Sequence, residues 1–236
     1  MNDALEEPAE TEIPAEPETT TPAPESRRLR ICELALVLGV GFLRSSLSSL
    51  RDWWNGSSTY VSTTFGELHR IFDAGLAIAV LAYVLYRQGR NLRTLGLTFR
   101  ASDVAWALPI AFLSHLLTIA VVNLLHAYAV HFPKGPAATT PSGLIWLAIL
   151  PLAAKEELLV RAYLMTEVSA LTGSMPFAVF ASIGFQSFYH LYQGTPAFFL
   201  HLGGFFAFAV YYATTRRITP VILAHAFYNF WLLASR

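Results

Sequence analysis

The run Lys155-Glu156-Glu157-Leu158-Leu159-Val160-Arg161 places charge inside an apolar segment that extends from about Gly143 to Met165. A charged side chain near the centre of a bilayer costs roughly 2.5 kcal/mol or more, so such residues mark functional sites and demand partners. On a helix Glu157 and Arg161 are four residues apart and share a face, which makes Arg161 the expected counter-ion of Glu157. Glu156 points about 100° away around the same helix and is left for another task. A solvated helix end would also hold such charges, but apolar runs flank this group on both sides.

Two later segments carry groups that could work with Glu156. One holds Gln186-Ser187-Phe188-Tyr189-His190 and the other His225-Ala226-Phe227-Tyr228-Asn229. His225 and Asn229, four apart, project from one side of a helix. If the two spans around Gly173 form an antiparallel hairpin, Glu156 lies 17 residues before the turn and His190 17 after it, at similar depth. A final span starting near Ile218 puts His225 about 11 Å in, at a helical rise of 1.5 Å per residue. A carboxylate and a histidine inside a bundle can activate water as general base. An imidazole and a carboxamide on one face can stabilise the oxyanion of an amide's tetrahedral intermediate. Together they compose peptide hydrolysis without a nucleophilic side chain.

The elements that must position these groups are legible in composition. The 236 residues are 54% hydrophobic with positive mean hydropathy, as in an integral membrane protein. Net charge is zero, yet residues 1–26 hold eight acidic residues and no Lys or Arg, leaving 16 basic against eight acidic residues in the remainder. This tail, with five prolines and no aromatic residue, has the composition of a disordered segment; it suits a solvated spacer better than a partner-binding arm. It has no basic start or early apolar core, so it is not a signal peptide. The single cysteine, Cys32, excludes an internal disulfide and a cysteine metal site. The scattered basic residues give no nucleic-acid-binding patch.

Seven spans are expected, an eighth being compatible: Ile31 to Leu50, His69 to Tyr86, Val104 to Val130, Gly143 to Met165, Phe177 to Tyr192, Ala197 to Thr214 and Ile218 to Leu233. A loop with Arg51, Trp53, Trp54 and Tyr60 separates the first two, and its aromatics suit a membrane interface. Pro133, Gly135, Pro136 and Pro141 break the chain after the third. Arginines cluster at 27–30, at 87–100 and at 216–217. A cytoplasmic N-terminus puts all three clusters on one side, as the positive-inside rule asks. The organisation read here is a tail over residues 1–26, N-terminal spans with a basic loop over 27–100, and a site-bearing membrane domain over 101–236. The fold class is an all-α polytopic bundle.

Glu156-Glu157-x-x-x-Arg161, the aromatic-rich segment ending in His190, and His225-x-x-x-Asn229 resemble the three motifs of the CPBP intramembrane proteases, the CAAX protease and bacteriocin-processing family. Leu95-Gly96-Leu97 and His190-Leu191-Tyr192-Gln193-Gly194 look like the family too, and the resemblance spans about residues 100–233. It implies that Glu156 activates water with His190 assisting, that His225 and Asn229 hold the oxyanion, and that Glu157 and Arg161 form an orienting pair. No cofactor is implied. The family's second motif usually has Phe four residues before its histidine; here Gln186 stands there, a polar group suited to tuning substrate choice or holding water.

The resulting expectation is a glutamate-type intramembrane endopeptidase acting on a membrane-associated peptide or protein. Two carboxylates and two imidazoles could instead ligate zinc, although the compact His-Glu-x-x-His pattern is absent. A non-catalytic immunity or scaffold protein of the same fold is a further alternative. A transporter is disfavoured by the lack of inverted repeats. Of the other histidines, His69, His115, His126, His131 and His201, the last is read as packing or cavity lining beside Gly203-Gly204.

Overall fold

A computed structural model of the chain describes residues 27–56, 63–128, 130 and 143–235. The acidic tail, Tyr60, His131 and the proline-rich stretch after the third span lie outside the described residues. Within them the chain is helical: α1 (Arg27–Trp54), α2 (Thr64–Arg87), α3 (Ala101–Ala127), α4 (Leu144–Glu156), a π-helical segment (Glu157–Leu164), α5 (Met165–Thr172), α6 (Met175–Tyr189), α7 (Thr195–Thr215) and α8 (Thr219–Ala234). The helical residues run without a break from Leu144 to Thr172.

Local chemistry sets most boundaries. Thr63 caps α2, its hydroxyl accepting the Gly66 N–H at 3.0 Å, and Asp103 accepts the Arg100 N–H at 2.7 Å to start α3. Ser174 caps α6, and Gly173 ends α5 in the left-handed region at φ 71°, where a Cβ is costly. Pro176, Pro196 and Pro220 sit in the first turns of α6, α7 and α8, where a missing N–H is harmless.

Two sequence expectations shift. Arg51, Trp53 and Trp54 belong to the last turn of α1 rather than to a loop, because Arg51 neutralises Asp52 at 2.8 Å and the Trp53 indole donates to Thr195 Oγ1 at 2.9 Å. The fifth span ends at Tyr189, not Tyr192, and a 3-10 turn Leu191–Gln193 follows. The Ser49 hydroxyl accepts the Tyr192 N–H there at 2.8 Å, satisfying backbone that the helix would otherwise have used.

Side-chain ties fix which ends lie together. Arg87 and Gln88, at the end of α2, both bind Glu33 near the start of α1. Arg90 meets Glu167 of α5 at 2.6 Å, Arg217 binds Asp103, and the Tyr212 hydroxyl donates to Leu95 O at 3.2 Å. Gly96 lies against Arg216–Ile218, accepting the Ile218 N–H at 3.3 Å; at φ 84° a Cβ there would come within 1.9 Å of Arg216 O. The arginine-bearing loops after α2 and α7 therefore share one end of the bundle, as their charge predicted. The α6–α7 turn sits at the other end beside Ser49 and Trp53.

Packing is tightest where side chains are smallest. At Gly203 a Cβ would meet Val121 Cγ2 at 2.7 Å, and at Gly204 it would meet Thr118 Oγ1 at 2.8 Å, so α3 and α7 approach closely, as glycines allow in membranes. The Ser114 hydroxyl donates to Gly204 O at 2.9 Å across this seam. The buried core gathers Leu159, Tyr163, Phe208 and Tyr212 around the π segment, all of whose residues are buried. The outward faces of α1, α2 and α3 are apolar and exposed, with Leu43, Leu47, Phe72, Phe112 and Leu124 among them. In water such a belt would be a liability. Among the described residues four helices, α1, α2, α3 and α7, are by length and composition apolar enough to cross a membrane, and α8 is a shorter apolar helix.

Candidate active site

Glu156 ends α4 and Glu157 opens the π segment. The wide π turns leave carbonyls able to take side-chain donors: Val160 O accepts the Ser182 hydroxyl at 2.9 Å and Ala162 O the Tyr212 hydroxyl at 3.4 Å. Such segments recur at functional sites.

The hairpin of the continuous run Leu144–Thr172 with α6 is antiparallel, and two ties read its register. Val160 stands opposite Ser182, and Glu156 stands opposite Gln186, whose Nε2 donates to Glu156 Oε2 at 3.2 Å. Both pairs centre two residues before Gly173. Gln186, not His190, is therefore level with Glu156, and His190 arrives one turn beyond, capping α6. His190 remains within electrostatic reach of Glu156, as do His225 and Lys155.

The two carboxylates diverge. Glu156 is half-buried, and its Oε2 accepts both the Gln186 amide and the Tyr189 hydroxyl, the latter at 2.9 Å. Glu157 is fully buried, with Oε1 2.7 Å from His225 Nδ1 and Oε2 3.5 Å from Arg161 Nε. Arg161 is also fully buried, its guanidinium lying over the Phe205 ring at 4.8 Å. The expected Glu157–Arg161 pair is present, and His225 completes it as a third member. Asn229 is half-buried one turn along α8 from His225, about 6 Å further at helical rise.

Two contributors, Tyr189 and Phe205, were not singled out by sequence reasoning, and a third, His201, was read only as packing or cavity lining. Tyr189 is a direct donor to Glu156, legible only as an aromatic of the second motif. Phe205 packs near His190, His201, His225 and Arg161 together. His201, expected to pack or line a cavity, lies with its ring 4.4 Å from that of His190 and its Nε2 3.0 Å from Gln193 Oε1. Its signal was the i, i+4 spacing to Phe205. Lys155 is buried on the α1 side, donating to Gly41 O at 3.4 Å above the Phe42 ring. Phe42 in turn stacks on Tyr189 at 4.7 Å. Thus α1 supports the site directly.

Ion pairing separates Glu156 from every other acid in the bundle. Residues 27–236 contain eight carboxylates. Seven, at Glu33, Asp52, Glu67, Asp73, Asp103, Glu157 and Glu167, have an Arg or His nitrogen within 4 Å. Glu156 forms no such pair among the described residues, and it is held by uncharged donors instead. Among those residues, no three His, Cys, Asp or Glu side chains group so as to hold a metal ion, since Glu157 is turned toward Arg161 and His225.

Residues 138–231 match the family described as type II CAAX prenyl endopeptidase Rce1-like, which is the CPBP/CAAX protease group that the three motifs resemble. No curated protein and no solved structure matches the chain. The family match and the apolar helices suggest an integral membrane protein, and the matched residues are similar to endopeptidases of the CAAX type.

Proposed function

We propose, from the match of residues 138–231 to the Rce1-like family, that this protein is an intramembrane endopeptidase that hydrolyses a peptide bond of a membrane-associated substrate with water activated by Glu156. The observation that carries this reading is that, among the described residues, Glu156 is the one bundle carboxylate without an Arg, Lys or His ion pair. Its Oε2 is occupied by two donors, so Oε1 is the atom that receives a proton from water. Water oxygen then bonds to the scissile carbonyl carbon, and Glu156 passes the proton to the departing amine as the C–N bond breaks. His190, one turn away, assists in placing the water.

The carbonyl oxygen becomes an oxyanion, for which His225 and Asn229 supply donors. Because His225 Nδ1 is engaged by Glu157, donation to the oxyanion falls to Nε2–H. The working form is then the imidazolium, and Glu157 balances its charge while Arg161 holds Glu157. A lost oxyanion donor costs about 10²- to 10³-fold in rate. In the membrane we place seven crossings, with Leu144–Thr172 as one, and an N-terminus in the cytoplasm. That arrangement gathers the arginine-bearing loops on the inner face.

The test is cleavage of quenched membrane peptides, prenylated and unprenylated, by reconstituted wild-type protein and Glu156→Ala, with and without a strong chelator. Cleavage that survives chelation and disappears in Glu156→Ala is expected. Chelator-sensitive cleavage would replace the reading with a metal-dependent one, and wild-type rates from Glu156→Ala would remove Glu156 from the chemistry.

A further inference from the structure

Gln186 is fully buried, and its two polar atoms are treated differently by the fold. Nε2 donates to Glu156 Oε2. Oε1, equally buried, has no hydrogen-bond partner among the described residues. The orientation of the amide is fixed by chemistry, because an ionised carboxylate only accepts and so must face the NH2 group. A buried acceptor without a partner is destabilising, more so than an apolar residue at that position would be. A polar group kept there at such a cost needs a partner, and water is the donor that buried polar groups most often recruit.

We propose that Gln186 is a water-positioning residue, in which one carboxamide orients Glu156 through Nε2 and accepts a hydrogen bond from the reacting water through Oε1. This deepens the reading of Glu156 as the base and rests on it. The water then has two acceptors, Glu156 Oε1 and Gln186 Oε1, one for each of its hydrogens. Its oxygen lone pairs are thereby turned away from both acceptors, toward a substrate carbonyl. His190, whose two ring nitrogens are also without hydrogen-bond partners among the described residues, borders the same space. The role is therefore specific to a chain carrying Gln at this position. A phenylalanine could seal the helix seam but could neither donate nor accept.

The experiment has one readout independent of cleavage. Infrared difference spectra of the full chain in lipid vesicles, recorded in H2-16O against H2-18O, should show an isotope-shifted band of a strongly bonded water. Gln186→Met, near in length and without polar atoms, should lose the band while keeping the wild-type helical signal and melting behaviour. Gln186→Asn, which keeps the carboxamide, should retain a weakened band. No such band in the wild type, or its persistence in Gln186→Met, overturns the proposal. In the peptide-cleavage assay Gln186→Met should lower kcat about ten- to hundredfold with KM within twofold. An unchanged kcat beside an inactive Glu156→Ala would sink the role of Gln186 alone, whereas cleavage by Glu156→Ala would sink the reading beneath it.

Discussion

Glu156 and Glu157 are adjacent in the chain, and the surroundings of each define a distinct region of the bundle. Around Glu157 everything is closed: no exposed surface, a histidine at 2.7 Å, an arginine at 3.5 Å, and an aromatic ring over the guanidinium. Around Glu156 the hydrogen-bond partners are neutral, one oxygen has none among the described residues, and the side chain is half-buried. The change of helix type falls between them, since Glu156 closes α4 and Glu157 begins the π segment. The difference teaches that a carboxylate enclosed between two cationic side chains can only build, while one held by a few neutral donors retains the capacity to take a proton.

The largest effect expected from this contrast is on stability. Glu157→Gln removes the charge that Arg161 and His225 face, and breaking a buried pair by one partner costs about 3–5 kcal/mol. Glu156→Gln, which leaves no cation unpaired, should shift unfolding by less than about 1 kcal/mol. Thermal unfolding of the two variants in detergent, read by helical signal, measures both. The double variant Glu157→Gln/Arg161→Met should recover part of the loss, since it leaves no uncompensated buried ion. Equal melting of Glu156→Gln and Glu157→Gln would erase the distinction between the two regions.

A smaller effect sharpens the Glu156 side. Tyr189→Phe deletes the 2.9 Å donor to Oε2 while preserving the stack on Phe42. A hydrogen bond to a charged group contributes about 1.5–3 kcal/mol to stability, so melting should drop, and if the bond also orients the base the cleavage rate should fall roughly tenfold beyond what the melting shift explains. The same substitution leaves Glu157, Arg161 and His225 untouched. A variant that melts early at unchanged rate would mean that Tyr189 serves packing rather than the carboxylate.

Much of this was legible in the sequence because charge in an apolar helix is so costly that it announces itself. The Glu157–Arg161 pair follows from spacing alone, and the shared end of the arginine loops follows from charge sorting. The close seam at Gly203 follows from residue size. The depth of His190 did not follow. Counting equal steps from Gly173 treats both arms of the hairpin as ideal α-helix, yet the arm through Glu157–Leu164 is π-helical and advances less per residue. Gln186 accordingly takes the place assigned to His190. The pairing of His201 with His190 was hidden as well, because α7 meets α6 only through a fold in which the 3-10 turn at Leu191–Gln193 redirects the chain.

The smallest expected effect tests whether the π segment itself maintains the separation of the two carboxylates. Ser182 Oγ bonds Val160 O at 2.9 Å in a fully buried position, and the same register brings Gln186 to Glu156 one turn away. Ser182→Ala removes one neutral hydrogen bond, worth about 1 kcal/mol, without adding volume to the seam. If that bond only contributes stability, the melting point should drop by a few degrees, in keeping with about 1 kcal/mol on a domain of this size, and cleavage should be unchanged. If it also holds the register, the Gln186–Glu156 contact should loosen too, and the rate should fall severalfold beyond what the melting shift explains. Comparing Ser182→Ala with Ser114→Ala, whose hydroxyl makes an equivalent 2.9 Å bond in the α3–α7 seam, isolates that second contribution. Both variants should melt alike, and only Ser182→Ala should slow cleavage, because only its bond lies in the hairpin that sets Glu156 against Gln186.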